Sequence, residues 1–369
     1  MFSVISDLIN RDGGFKNKRL LSDRALYPAA RAIYVEGVET FNFENMRICN
    51  FDYGLYAYES SAFVIRNLYP FGIGTDGIRI DKPNPRNSTD HRIYDTQSAG
   101  GRYGFNFTNT AAVMMVGCRP QVSGVANLFL NNSSRFNING GFCDSAVAHS
   151  SGGTDGMRIV SSSHININNV IFYSNGAGGF HIRLVAAGDV APNARCEQID
   201  ILGCDFSQAS GQDVTAISLS NPVGSAAFYR YISIIGNDFG SVGTAAQGLN
   251  NVSHDLQVHG NRGNTAALNK VQTITATSGT AEINAWTEIV RCTATLTGTL
   301  ELTLTGRDNY LGKTVHVYRT GGGASNILVK SCNGSSTVGT LESAGSWGEF
   351  YVNAPNVNPT SATYIQAGP

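Results

Sequence analysis

Two groups of side chains in this 369-residue chain have the types and spacing for chemistry. The first is Glu36 with Asp81. If short strands stack winding on winding, the two carboxylates fall in one outward column two windings apart, with backbones about 9.6 Å apart. That is close to the ~6.5–9.5 Å separation of an inverting glycosidase, in which one carboxyl protonates the leaving oxygen and the other activates a water. Tyr34, Tyr56, Tyr58 and Arg79 would frame the pair, and Asp76 is a third carboxylate nearby. The second group is Asp155, Arg158, His181 and Arg183 on neighbouring windings, with His149 and Asp189 in flanking loops. A His beside Arg and a carboxylate can take the proton next to a sugar carboxylate that the Arg neutralises, which is lyase chemistry, or can hold an acidic sugar without cutting it. A plainer reading stands beside each: Glu36 as a solvated edge charge, and Asp76-Gly77 and Asp155-Gly156 as turn residues.

These groupings depend on a repeat. Asp155 to Asn175 contains a small residue, an alternating strand (Met157, Ile159), a polar turn, a second alternating strand (Ile165, Ile167) and a third apolar pair after an Asn-rich corner. Imperfect copies begin at Ala32, Gly54, Gly77, Gly104, Asn127, Gly156, Gly179, Ala216 and Gly248. A short period with irregular additions is the signature of a solenoid whose windings carry loop insertions. The inward pairs read Ile33/Val35, Leu55/Ala57, Ile78/Ile80, Phe105/Phe107, Leu128/Leu130, Met157/Ile159, Phe180/Ile182 and Ile217/Leu219, all apolar. Period-two alternation sends the residues between them outward. One outward column is then Tyr34, Tyr56, Arg79, Asn106, Phe129, Arg158, His181 and Ser218; the other is Glu36, Tyr58, Asp81, Thr108, Asn131, Val160, Arg183 and Ser220. Aromatic faces interleaved with Arg, Asn and His suit a sugar chain, whose C–H faces stack on rings and whose hydroxyls and carboxylates need fixed donors. Outward strand positions favour aromatics for other reasons too. Insertions at 82–91, 143–154, 184–196, 207–213 and 221–229 would wall this face into a groove, and functional residues concentrate on such loops.

Second strands carry Phe41-Phe43, Phe63-Ile65, Val113-Met115, Phe136-Ile138, Ile165-Ile167, Ile199-Ile201 and Ile232-Ile234, and Gly203-Cys204-Asp205-Phe206 is matched by Gly236-Asn237-Asp238-Phe239. On these residues the chain resembles the right-handed parallel β-helix proteins of the pectin-lyase-like superfamily, over about 230 residues. That branch's catalytic signatures are missing: there is no adjacent Asp-Asp pair, and Gly179-Phe180-His181 only loosely echoes a Gly-His-Gly. Its catalytic residues are therefore not carried over. The ending Gly345-Ser-Trp-Gly-Glu-Phe-Tyr-Val352 resembles the C-terminal module of phage tailspikes, which implies a homotrimer.

Composition narrows the class. Charged residues are 14%, Gly numbers 42 and the net charge is -1, so no basic footprint for nucleic acid exists and turn-rich β structure is favoured. No apolar run reaches the length needed for membrane insertion. Seven cysteines without metal spacing read as buried thiols. The expected organisation is all-β: residues 1–30 a cap and connector with a short helix over 3–9, residues 31–269 a parallel β-helix, and residues 270–369 an antiparallel β-sandwich. The expected function is a tailspike-like depolymerase on a phage virion, cleaving capsule or O-antigen polysaccharide internally, without cofactor or metal. Its partners would be that polysaccharide, two further copies of itself, and the phage tail or an adaptor. A lyase acting on an acidic glycan and a non-cleaving fibre or adhesin are the alternatives.

Overall fold

A strand such as Ile78-Arg79-Ile80-Asp81 can bury one face only, and stacking each winding on the next buries that face for all of them together. This is how the chain folds in its computed structural model, which describes all residues except 1, 5–13, 28, 83–87, 145–154, 174–178, 187–194, 210–212, 221–227, 250–251, 264–270, 284–286, 305–313, 331–336, 353–361 and 367–369. Ten strands make the first sheet: Phe2–Val4, Arg31–Glu36, Tyr53–Tyr58, Asp76–Asp81, Tyr103–Thr108, Ala126–Asn131, Asp155–Val160, Phe180–Val185, Thr215–Leu219 and Thr244–Gln247. Each pairs in parallel with the next. A second face runs from Gly14–Lys16 through Ser88–Tyr94 and Ser163–Asn168 to Phe228–Ile235, and a third from Arg19–Leu21 through Arg119–Gln121 and Ile171–Tyr173 to Arg262–Gly263. The unit is a parallel β-solenoid of about ten turns.

Ile33, Leu55, Ile78, Phe105, Leu128, Met157, Ile182 and Ile217 stand in one register inside it, all buried. Under the third face Phe172, Phe206 and Phe239 stack ring on ring at 4.9 and 5.0 Å. Corners are closed by buried hydroxyls. Ser60 accepts a hydrogen bond from the Val38 amide and donates to the Tyr58 carbonyl; Ser133 does the same for Thr110 and Asn131, and Ser162 for Ser133 and Val160. Each hydroxyl thus satisfies an amide of the preceding winding that would otherwise be buried unpaired. The six described cysteines are free and buried, and burial pushes the Cys118 thiol up to about 12 and that of Cys196 to about 11, so neither is a nucleophile at neutral pH.

Three expectations need correction here. Ser3 and Val4 are strand, not helix: Phe2–Val4 pairs with Ile33–Val35, and a strand-forming partner edge prevails over weak helical spacing in so short a segment. The rest of that proposed helix lies outside the described residues. In the seventh winding the inward pair is Ile182 and Leu184, because the slot taken by Gly156 in the sixth is filled by His181 and not by Gly179. In the last winding the strand Thr244–Gln247 precedes Gly248, so Ala245 is the small residue of that winding.

A second compact unit comprises Gly248–Leu256 and Leu268–Pro369. Its first six strands alternate between two sheets and do not turn back as hairpins. Val271–Ile274, Ile289–Cys292 and Thr314–Arg319 run parallel in one sheet, and Gly279–Ile283, Leu300–Leu304 and Ile327–Lys330 run parallel in the other. Antiparallel pairing enters only with Thr337–Leu341, Trp347–Val352 and Ala362–Gln366. The antiparallel sandwich expected for 270–369 therefore does not describe this unit, since alternation alone cannot separate a hairpin from a crossover. Val290, Leu300, Val317, Val329 and Phe350 belong to its core. Arg319 is buried there and donates to the carbonyls of Leu341 at 3.0 Å and Gly323 at 2.7 Å.

Candidate functional site

Parallel register converts alternation into columns on the outer side of the first sheet. One column reads Tyr34, Tyr56, Arg79, Asn106, Phe129, Arg158, Arg183, Ser218 and Gln247. The next reads Glu36, Tyr58, Asp81, Thr108, Asn131, Val160 and Val185. Through the sixth winding these match the sequence reading. At the seventh, Arg183 stands beside Arg158, in the place expected for His181, and Val185 takes the place expected for Arg183.

A third column was missed: Arg31, Tyr53, Asp76, Tyr103, Ala126, Asp155, Phe180, Thr215 and Thr244. Its signal is the residue before each small one. Gly54 and Leu55 both face inward, which breaks the alternation and turns Tyr53 out. The small residue is needed because the backbones meet there: a β-carbon on Gly104 would stand 2.6 Å from the Asn127 carbonyl oxygen.

The first to fourth windings bring these columns together as an aromatic and ionic surface. The Arg31 guanidinium lies 4.7 Å from the Tyr34 ring centre and 4.9 Å from that of Tyr56, and Tyr53 stacks on Tyr56 at 5.8 Å. The Arg79 guanidinium also lies 4.9 Å from the Tyr56 ring centre, so this one ring has two cation–π partners. Tyr34 donates to Glu36 at 2.9 Å, and burial, with that bond, pushes its phenol up to about 12. Arg79 pairs with Asp81 at 2.8 Å and with Asp76 at 3.6 Å. Asp76 also accepts from the Asn106 amide at 3.1 Å; burial pushes its carboxyl up to about 6, against the pull of Arg79 and Asn106.

Glu36 and Asp81 thus stand in one column with Tyr58 between them, about 9.6 Å apart at the backbone. Asp76 is buried beneath Arg79 and sets the charge around that guanidinium without reaching the surface. The second expected centre does not assemble. His181 is buried against the stacked pair of Phe172 and Phe206, with its pKa lowered to about 3 by desolvation, so it is neutral and turned away from the face. Asp155 is buried under Arg158, its carboxyl raised by desolvation. A catalytic role for either loses its geometric basis. His149, Asp189 and most of the expected groove walls lie outside the described residues. The strand Ser88–Tyr94 takes up the end of the 82–91 insertion.

One further dyad invites a nucleophilic reading. Ser88 Oγ is 2.7 Å from His91 Nε2. But His91 Nδ1 accepts from the Phe63 amide, so Nε2 carries the proton, and the Ser88 hydroxyl donates to the Ser60 carbonyl. The polarity is the reverse of serine activation, and both residues are buried. Among the described residues no group of three His, Cys, Asp or Glu could hold a metal ion.

No family model and no curated protein matches the sequence. Among solved structures, the chain is similar to the crystal structure of PfbA, a surface adhesin of Streptococcus pneumoniae, with a TM-score of 0.43 and 9% identity, covering 100% of this chain and 84% of that one. No residue role is taken from so distant a likeness.

Proposed function

We propose that the chain is a polysaccharide-acting β-helix fibre that binds a bacterial surface glycan along the outer side of its first sheet and hydrolyses it internally. The observation that carries this reading is the registered surface of Tyr34, Tyr56 and Tyr58 held by Arg31 and Arg79, with Glu36 and Asp81 in one column beside it. Rings fixed on a rigid sheet offer stacking area at little entropic cost. Of the two carboxylates, one would protonate the glycosidic oxygen and the other activate water; their backbone spacing of about 9.6 Å is close to the ~6.5–9.5 Å between the carboxyl groups of inverting enzymes. Hydrolysis is favoured over elimination because the lyase reading needed His181 and Asp155 at the surface. On this reading the protein is a homotrimeric tail component of a phage, attached to the tail or an adaptor and working outside the host cell. Support for that part is the tailspike-like layout of a β-helix followed by an all-β unit.

A second reading has its own observation: Glu36 is engaged by Tyr34 and Asp81 by Arg79, as in a surface built for binding alone. One assay separates them. Capsular and O-antigen polysaccharides are incubated with the protein, and new reducing ends, unsaturated uronate absorbance and binding are followed. Hydrolysis predicts reducing ends, lost by roughly 10²- to 10⁴-fold in Glu36→Gln or Asp81→Asn with binding kept. Binding without new ends, abolished by Tyr56→Ala, selects the non-cleaving fibre. Cleavage that survives both carboxylate substitutions sinks the assignment of this pair.

A further inference from the structure

Large apolar side chains standing in water call for an explanation when they gather in one place. Leu26, Tyr27 and Leu21 are 70%, 62% and 59% exposed, and no other large apolar side chain among the described residues exceeds 44%. With Leu20 and Phe51 they line a cleft of about 900 Å³ beside the strand Arg19–Leu21. The stretch that carries Leu26 and Tyr27 is held in place. The Asp23 carbonyl accepts from the Leu26 and Tyr27 amides, and its carboxylate accepts from the Ala25 amide at 3.0 Å. The Ala30 carbonyl accepts from the Asp52 amide, and Arg24 donates to the Gly72 carbonyl at 3.2 Å. Apolar groups presented by such a fixed turn are preorganised for contact.

The strand beside the cleft has an open edge. Arg19–Leu21 pairs in parallel with Arg47–Cys49 and with no other described strand. The Lys18 carbonyl accepts from the Arg47 amide and the Ser22 amide donates to the Cys49 carbonyl, so Leu20, between them in the alternation, also turns its backbone groups toward that neighbour. Those of Arg19 and Leu21 point the other way, two N–H and two C=O groups with no described strand beyond them. Free charge on this side has one sign. Lys18, Arg19 and Arg47 are exposed, Arg19 and Arg47 are adjacent in register, and Arg31 lines the cleft. The acids around them are already engaged: Asp23 by the Ala25 amide, Asp52 by the Thr75 hydroxyl and Glu44 by Lys16.

We infer that this edge and cleft dock an extended segment of another protein, in which apolar and acidic side chains alternate. Its backbone bonds to the free groups of Arg19 and Leu21 as an added strand. Its inward side chains are apolar and fill the cleft beyond Leu20, against Leu26 and Tyr27. Its outward side chains are acidic and stand beside Arg19 and Arg47. The open edge selects an extended backbone, and the unbalanced cations select the charge. The inference concerns a partner protein and does not rest on the glycan reading.

The test uses the whole chain and labelled peptides of about eight residues, a usual strand length. Three peptides alternate Leu or Val with Glu, with Lys or with Ser; a fourth is the Glu peptide with alternate amides N-methylated, made in both registers so that each edge in turn cannot donate. Binding is read by fluorescence anisotropy, and backbone protection by hydrogen exchange. The Glu peptide should bind about tenfold or more tighter than the Lys peptide, and N-methylation in one register should remove that binding. Exchange of the Arg19 and Leu21 amides should slow on binding, with that of Leu20 unchanged. Leu26→Asp should weaken the Glu peptide about tenfold, and Arg19→Glu combined with Arg47→Glu should turn the preference toward the Lys peptide. All three positions are exposed, and circular dichroism with melting temperature verifies that each variant keeps the fold. Failure of the Glu peptide to bind, equal binding of the Glu and Lys peptides, or unslowed exchange at Arg19 and Leu21 overturns the inference. So does a wild type that ignores the peptides and sediments as an oligomer that Leu26→Asp dissolves, since the face then belongs to a second copy of this chain. None of these results bears on whether the first sheet binds or cuts a glycan.

Discussion

Asp76 should destabilise the fold at neutral pH, and removing its charge should show by how much. Its carboxyl is raised from 3.8 to about 6. A raised pKa means that the folded chain holds the proton more tightly than the unfolded chain, so the contribution is most favourable below the unfolded value and is lost as pH rises through the folded one. At about 1.4 kcal/mol for each unit by which the two values differ, the cost above pH 6 is about 3 kcal/mol. Asp76→Asn keeps the shape and an oxygen for the Asn106 amide, and Arg79 keeps Asp81. The variant should therefore gain about 3 kcal/mol relative to wild type between about pH 3.5 and about pH 7.5. Urea unfolding followed by far-ultraviolet circular dichroism measures this, because Trp286 and Trp347 both lie in the second unit and their fluorescence does not follow the solenoid. A stability difference that is flat with pH, or that falls as pH rises, refutes the desolvation argument and with it the view of Asp76 as a buried anchor.

Two further outcomes follow from burial. Phe206→Ala opens a gap between Phe172 and Phe239 and should cost about 3–5 kcal/mol in urea unfolding, whereas Phe206→Leu, which loses two ring pairs but keeps most of the apolar volume, should cost about 1–3 kcal/mol. His91 has its pKa lowered to about 4 by desolvation, so the stability it confers is present above about 6.5 and is lost as pH falls toward 4, by up to about 3 kcal/mol. His91→Gln should flatten that acid limb, and the comparison is cleanest on an Asp76→Asn background, where the opposing titration is absent; an acid limb of unchanged steepness would count against it.

Much of the solenoid could be read from the chain because its first strands repeat one demand, two apolar residues with a polar one between. Where a winding meets that demand with another residue type, the reading slipped. His181 fills a slot held elsewhere by Gly, Ala or Asn, and His91, read as the end of the 82–91 insertion, stands in a strand beside Val113 on the second face. Both are polar by type yet neutral and apolar-packed in place, and only their neighbours reveal it. The outward columns were legible as far as the register was. Tyr53, Tyr103 and Arg31 stayed hidden because two inward residues in succession disrupt period two at each close approach of the backbone. In the second unit the strands were visible but their partners were not, since turn residues between strands serve a crossover as well as a hairpin.

The serine corners give the solenoid a modular grammar. Because Ser60, Ser133 and Ser162 each settle the needs of the adjacent turn and of none further away, a turn bounded by such serines can be copied or excised with those junctions left whole. The length of the solenoid, and on the proposed reading the number of sugars its face would span, then becomes a quantity that inheritance can change in whole steps.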